Sequence, residues 1–208
     1  MTDALLSRRP HRPKSGLPFL GDLTLTPARA HEFCGPARRT LALILAQKMG
    51  QNGDSPVFWI QPAWHQDRLH SEGLVDLINP GRLTFLAPKR PEDLLWAMEE
   101  ALRAACVPLV VCELPGIPTL TAVRRLHLAA ETAAREHKRA PIGLLLVAGQ
   151  GGIQGVESRW HMAPAHEGRN QRWHLERRRA RMAPPKAWGV SRGKTGFEVE
   201  APAVKDCI

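Results

Sequence analysis

Four short apolar runs constrain this chain more than any other feature: Ser55-Pro-Val-Phe-Trp-Ile-Gln, Arg82-Leu-Thr-Phe-Leu-Ala-Pro, Pro108-Leu-Val-Val-Cys-Glu-Leu and Pro141-Ile-Gly-Leu-Leu-Leu-Val-Ala-Gly. Continuous short apolar runs of this kind form parallel strands buried on both faces. Helical patterns separate them. Between Pro91 and Ala105, the residues Leu94, Leu95, Met98, Ala101, Leu102 and Ala105 recur with the helical period, while Glu92, Asp93, Glu99 and Glu100 are expected to face outward. Acids near the start suit the helix dipole. Leu120, Val123, Leu126, Ala130 and Ala134 repeat the pattern, and Trp64, Leu69, Leu74, Leu77 and Ile78 follow it more loosely. Strands alternating with helices predict an α/β fold, a mainly parallel sheet covered on both faces.

After Gly149 the pattern changes. Gln150-Gly-Gly-Ile-Gln-Gly is expected to be a flexible loop, and Trp160 with Met162, then Trp173 with Leu175, alternate as in strands. They predict an antiparallel hairpin appended to the sheet, its turn within residues 164–171 and its second strand continuing through Arg181. The expected organisation is a basic, flexible N-terminal arm over 1–27, an α/β domain over 28–183 with the hairpin from about 157, and a loosely held tail over 184–208, rich in proline, glycine and charge. There is no internal repeat.

The 208 residues suit one core with extensions. The net charge of +9 is concentrated at the ends: Lys and Arg outnumber acids five to two in residues 1–30 and eleven to six in 156–208, against thirteen to twelve between. Basic flanks on a neutral domain suit a nucleic-acid backbone or an acidic protein surface, and solvation alone accounts for them equally. The longest apolar stretch, Ile142 to Ala148, is far short of the roughly 20 residues that cross a bilayer, so no membrane partner is expected. Arg8-Arg9 lacks the apolar stretch of a twin-arginine signal. Cys34, Cys106, Cys112 and Cys207 show no C-x-x-C spacing; they are expected to be reduced core residues in a cytoplasmic protein.

The segment Glu32-Phe-Cys-Gly-Pro-Ala-Arg-Arg-Thr-Leu-Ala-Leu-Ile-Leu lies at a strand-to-helix junction, where an ATP-binding loop would sit. Such a loop reads G-x-x-x-x-G-K-[ST], with amides wrapping phosphate, lysine matching its charge and a hydroxyl holding magnesium. If Gly35 opens the loop, the positions due for glycine, lysine and hydroxyl hold Thr40, Leu41 and Ala42. Gly35, Pro36, Arg38, Arg39 and Thr40 then form a vestigial nucleotide loop, with arginine charge at a helix N-terminus. The simpler alternative is that Gly35-Pro36 only turns the chain into a helix.

Other motifs fail on spacing. Gly193-Lys194-Thr195 lacks a correctly placed preceding glycine and is read as a turn; Gly149 to Gly155 misses the dinucleotide fingerprint at Gln154. His65 with His70, five apart on an expected helix, and His161 with His166 lack a metal-ligand frame. No serine stands in a nucleophile-elbow pattern. Two candidate contacts for DNA or a protein partner remain. One is Arg177, Arg178, Arg179 and Arg181, of which alternation would put Arg177, Arg179 and Arg181 on one strand face. The other is the glycine loop with Gly151, Gly152 and Gln154.

Glu32-Phe-Cys-Gly-Pro resembles the strand and turn that open the ATPase core of RecA recombinases, and the following strand-helix units keep the corresponding order. Arg90-Pro-Glu-Asp-Leu-Leu-Trp-Ala-Met-Glu-Glu-Ala-Leu-Arg, Val110-Val-Cys-Glu-Leu and Leu120-Thr-Ala-Val-Arg-Arg-Leu-His-Leu-Ala-Ala-Glu resemble the centre of the ImuA family of bacterial SOS mutagenesis, over residues 28 to 190. The resemblance implies a RecA-like three-layer core and a role in damage-induced translesion synthesis. The implied partners are an ImuB-like inactive relative of Y-family polymerases, an error-prone C-family replicative-type DNA polymerase, RecA and DNA. Glu113 would end the strand that carries a metal-associated aspartate in an active ATPase, and Gln61-Pro62 follows the strand where an active relative presents a water-orienting glutamate. With lysine and that carboxylate both replaced, no catalysis and no cofactor are expected. Two rival functions are a working ATPase with an arginine-substituted loop, and a cell-division inhibitor like the SulA family, which is also similar to a RecA core without a P-loop.

Overall fold

The computed structural model describes residues 16–50, 54–193 and 196–200. A small hairpin, β1 (Leu17–Leu20) and β2 (Leu23–Leu25), precedes β3 (Ala30–Cys34) and α1 (Arg38–Met49). There follow β4 (Val57–Ile60), a short α2 (Ser71–Val75), a 3-10 turn at Pro80–Arg82, β5 (Leu83–Leu86), α3 (Pro91–Ala104), β6 (Leu109–Glu113), α4 (Leu120–Glu136) and β7 (Ile142–Val147). The chain then runs through β8 (Ser158–Pro164), β9 (Arg172–Ala180), β10 (Lys186–Gly193) and β11 (Gly196–Glu200).

One nine-stranded sheet, ordered β11-β10-β9-β8-β3-β7-β6-β4-β5, organises the molecule. The six strands from β8 to β5 are parallel, and β9, β10 and β11 extend the sheet antiparallel. All four apolar runs are parallel strands, as expected; β6 and β7 are fully buried and β4 nearly so, whereas β5 is the edge strand and leaves Thr84 and Phe85 exposed, because among the described residues no further strand or helix covers it. Trp59, Val111, Leu144 and Leu146 pack toward α1, while Ile60, Val110, Cys112 and Leu145 pack toward α3 and α4. Each fully buried side chain of this size contributes about 2 kcal/mol by leaving water.

The helices start and stop for local reasons. Pro91 opens α3, with Glu92 and Asp93 in the first turn, and Ala105 closes it at φ 49°. Thr119 caps α4, its Oγ1 accepting from Ala122 N at 3.3 Å.

Several expectations need correction. Residues 16–27 are not an arm: Phe19, Leu20, Leu23 and Leu25 are buried in the core that contains α1. This second cover explains why six consecutive α1 residues, Leu41 to Ala46, are all buried. Residues 1–15 lie outside the described residues. The expected tail holds two strands, with Trp188 and Val190 buried, and Gly193 pairs with Gly196 across a hairpin whose residues 194 and 195 lie outside the described residues. The loose pattern around Trp64 is not a helix. Gln61 N and Ala63 N instead bond Leu86 O and Pro88 O, continuing the extended chain, and only Ser71–Val75 is α-helical. Glu99 does not face outward; it is buried between α3 and α4, paired with Arg103 and Arg125. Cys34 and Cys112 are core residues and Cys106 is exposed, whereas Cys207 lies outside the described residues.

Candidate functional site

The β3-to-α1 turn is a tight corner. Only Gly35, Pro36 and Ala37 separate strand from helix. Gly35 has φ +90°, and a Cβ there would lie 2.5 Å from Met162 O and 2.8 Å from the His161 ring. The glycine is thus required by close packing on β8. Ala37 N donates to Met162 O at 3.0 Å and Arg38 N to Gly35 O at 3.3 Å, so both amides bond within the protein. Arg38 turns back onto Gly35 O, Pro36 is exposed and Thr40 lies half-buried in the first turn of α1. This geometry turns the strand directly into the helix.

Arg39 is engaged at the ends of the neighbouring strands. Its Nε lies 3.0 Å from both oxygens of Glu113, its Nη2 lies 2.8 Å from Glu113 Oε2, and Nη2 also donates to Asp67 O at 2.9 Å. Trp59 Nε1 donates to Glu113 Oε1 at 2.8 Å. The Glu113 carboxylate at the end of β6 is therefore filled by arginine and indole donors, with its side chain 5% exposed. Gln61 occupies the end of β4, only 1% exposed, and neither amide atom has a hydrogen-bond partner among the described residues. Arg39 also holds the segment 61–70 against this cluster through Asp67 O, while His65, half-buried, bonds the same carbonyl. The crevice at the ends of β3, β4 and β6 is closed by an internal ion pair.

A second buried carboxylate, Glu32, has no counterpart among the sequence candidates. It is fully buried on β3 and accepts from Gly152 N at 2.7 Å, from Ile153 N at 3.2 Å and from Arg159 Nε at 2.5 Å. Arg159 also donates to Ile153 O at 2.8 Å. Gly151 has φ +75°, and a Cβ there would lie 2.6 Å from Glu32 Oε1, so glycine lets the backbone close on the carboxylate. The loop expected to be flexible is thus clamped by a charge-assisted set of bonds, with Ile153 buried and Gln154 left exposed. A glutamate inside the short strand Ala30–Cys34 is the signal that could have found it.

The arginine run does not share one face. The β8–β9 register steps from Arg159↔Arg179 to Trp160↔Arg177, so Arg178 is an extra residue in a β-bulge. Arg177 and Arg179 therefore point to opposite faces. Arg177 lies 5.6 Å from the Trp160 ring centroid and 5.2 Å from that of Trp188, and burial lowers its pKa. Arg178 bonds Glu176 at 2.7 Å and Gln150 O at 2.9 Å, holding Glu176 below the usual carboxylate range. Arg179 is exposed, and Arg181, beyond the strand, is 72% exposed and 4.0 Å from Glu157.

The fold also makes a serine–histidine pair invisible to motif reading. Trp160 Nε1 donates to Ser158 Oγ at 2.8 Å, which lies 2.7 Å from His31 Nδ1, and His31 Nε2 lies 2.9 Å from Thr26 O. Since a carbonyl only accepts, His31 carries its proton on Nε2 and Ser158 donates to Nδ1. Burial lowers His31 to about 4 and keeps it neutral. Burial likewise pushes Cys34 up to about 12 and Cys112 higher still, so neither is a ready thiolate. Among the described residues no group of His, Cys, Asp or Glu is arranged to hold a metal, and no helix is long and apolar enough to cross a membrane.

No protein-family model matches the chain, and no curated protein is detectably similar to it. Residues and geometry therefore carry the functional reading.

Proposed function

We propose that this chain is a RecA-like accessory protein without catalysis of its own, acting in SOS-induced translesion synthesis by assembling an error-prone polymerase complex at damaged DNA. The observation that carries the reading is the ion pair of Arg39 with Glu113. It occupies the crevice at the carboxyl ends of the parallel strands, where open α/β sheets bind ligands. An ATPase of this design needs that space for phosphate and metal; an adapter needs only a stable scaffold and its surfaces.

The RecA-like part of the reading is supported by the central position of β3 between β7 and β8, with α1 following directly, and by the antiparallel strands beyond β8. The ImuA-like part rests on the resemblance of α3, β6 and α4 to that family. An ImuB-like inactive polymerase relative and a C-family polymerase are its proposed partners, RecA and DNA being further contacts, and its proposed location is the cytoplasm.

The test is affinity capture of the tagged protein from its own cells after DNA damage, with nuclease treatment and mass spectrometry. Recovery of a Y-family-like protein is the expected result. Enrichment of the tubulin-like division protein instead would overturn the reading in favour of a SulA-like inhibitor, and magnesium-dependent ATP turnover by the purified chain above background would overturn the absence of catalysis.

A further inference from the structure

The outer face of α4 is built unlike its inner one. Val123, Leu126, Ala129, Ala130 and Ala133 are buried inward, whereas Leu120, Arg124, His127, Leu128 and Glu131 border a groove of about 440 Å³, closed on its other side by Gly155 and Arg181. Leu120 lies against Gly155, where an added Cβ would meet its Cδ1 at 2.5 Å. Leu128 is 62% exposed, and Ile117, just before the helix, is 56% exposed beside Gly152. Leu128 is thus exposed on the groove, and Ile117 is exposed in the segment that leads into α4. Positions 120 and 128 alone are about 12 Å apart along the axis at 1.5 Å per residue.

Arginine interleaves with this apolar line. Arg124 is exposed on the helix turn between Leu120 and Leu128 and pairs with no carboxylate among the described residues. Arg181 is 72% exposed, and its single pairing among the described residues, to Glu157, is 4.0 Å long. Arg29 bonds Glu131 and lies 3.6 Å from Glu157, so these three groups together leave one negative charge, and burial lowers the pKa of His127, whose Nε2 lies 3.1 Å from Gly155 O. The groove is therefore positive by one charge, and its outward cations, Arg124 and Arg181, stand beside aliphatic carbon.

From this pattern we infer that the groove between α4 and Arg181 docks an acidic amphipathic peptide segment of a partner protein, its aliphatic side chains against Leu120 and Leu128 and its carboxylates on Arg124 and Arg181. Charge complementarity selects the occupant. A nucleic-acid backbone brings charge without aliphatic side chains and would gain nothing from the aliphatic positions. A second copy meeting face to face would set Arg124 near its own like charge. An amphipathic helix with aliphatic residues eight apart has the matching length, since it spans about 12 Å between them. The inference stands on the groove alone and does not need the polymerase assignment.

The test is selection of random displayed 14-residue peptides on the full-length protein, followed by fluorescence anisotropy with the enriched peptide. Enrichment of peptides pairing two or more Asp or Glu with spaced Leu, Ile or Met is expected. Arg124→Glu and Leu128→Ser, both exposed and each checked for folding by circular dichroism, should each weaken binding about tenfold or more. No enrichment, a basic or non-aliphatic consensus, or binding indifferent to both variants would overturn the inference. So would tight binding of a 15-nucleotide oligothymidylate lost in the same variants, which assigns the groove to nucleic acid, or a dimer in sedimentation broken by Leu128→Ser, which assigns it to a second copy. A peptide hit would hold even if capture from damaged cells returned no polymerase relative, so the two readings fail separately.

Discussion

The crevice at the ends of β3, β4 and β6 and the groove along α4 are both built from arginine, glutamate and an apolar neighbour, yet they differ in where the charge goes. Arg39 gives its donors to Glu113 and Asp67 O, and Glu113 takes a further bond from Trp59. In the groove, Arg124 has no partner among the described residues and Arg181 has only a long one. Sequence shows arginine in both places. Only the fold determines whether a carboxylate is within reach, and that separates a structural cation from one available to a partner.

The largest expected effect comes from breaking the closed pair. Glu113→Ala should cost about 3 kcal/mol, the lower end of the range for removing one partner of a buried ion pair, since Arg39 remains 22% exposed and water relieves part of the loss. The control is Arg124→Ala, expected to change stability by no more than about 0.5 kcal/mol. Urea denaturation of both variants measures the contrast, and equal losses would erase it. Replacing Glu113 and Arg39 together by leucine should recover most of the loss, because the desolvation of both charges disappears with the pair.

Acid should open the buried serine–histidine chain next. His31 is lowered from 6.5 to about 4, so the unfolded chain binds more protons between those values and stability falls as pH drops through that window. The contribution is fully present above pH 6.5, and its upper bound is on the order of 3 kcal/mol. Denaturation midpoints of wild type and His31→Gln, followed from pH 7.5 to 4.5, measure it. A wild-type slope no steeper than that of the variant would place the acid sensitivity elsewhere.

The parallel half of the sheet was legible because its signal is local: an apolar run is a strand whatever surrounds it, and α3 and α4 carry a clear period. What failed to show in sequence depends on partners distant in the chain. Leu17 to Leu25 look like part of a basic arm until α1 offers an apolar surface to cover. Trp188 and Val190 look like tail residues until β9 supplies a neighbouring strand. Glu32 lies in the short strand β3, but its role requires residues 152, 153 and 159, more than a hundred positions away. Glu113 was legible as a carboxylate at a strand end, whereas its engagement by Arg39 and Trp59 was not. Period-two alternation assigned the arginine faces wrongly because a bulge has no clear sequence signature.

That bulge gives the smallest effect. Arg177 belongs with Arg39 as an internally satisfied cation, since its guanidinium lies near the rings of Trp160 and Trp188 and its Nε bonds Pro184 O at 3.1 Å. Arg177→Ala should cost about 1 kcal/mol through the lost cation–π contact and stem packing. Arg179→Ala should leave stability unchanged, because Arg179 is exposed. If the hairpin contacts a polyanion, the assignments reverse: Arg179→Ala should flatten the salt dependence of binding, and Arg177→Ala should leave it as in wild type. An equal change of slope in both variants would mean that Arg177 reaches solvent, and the bulge would then not separate the two arginines.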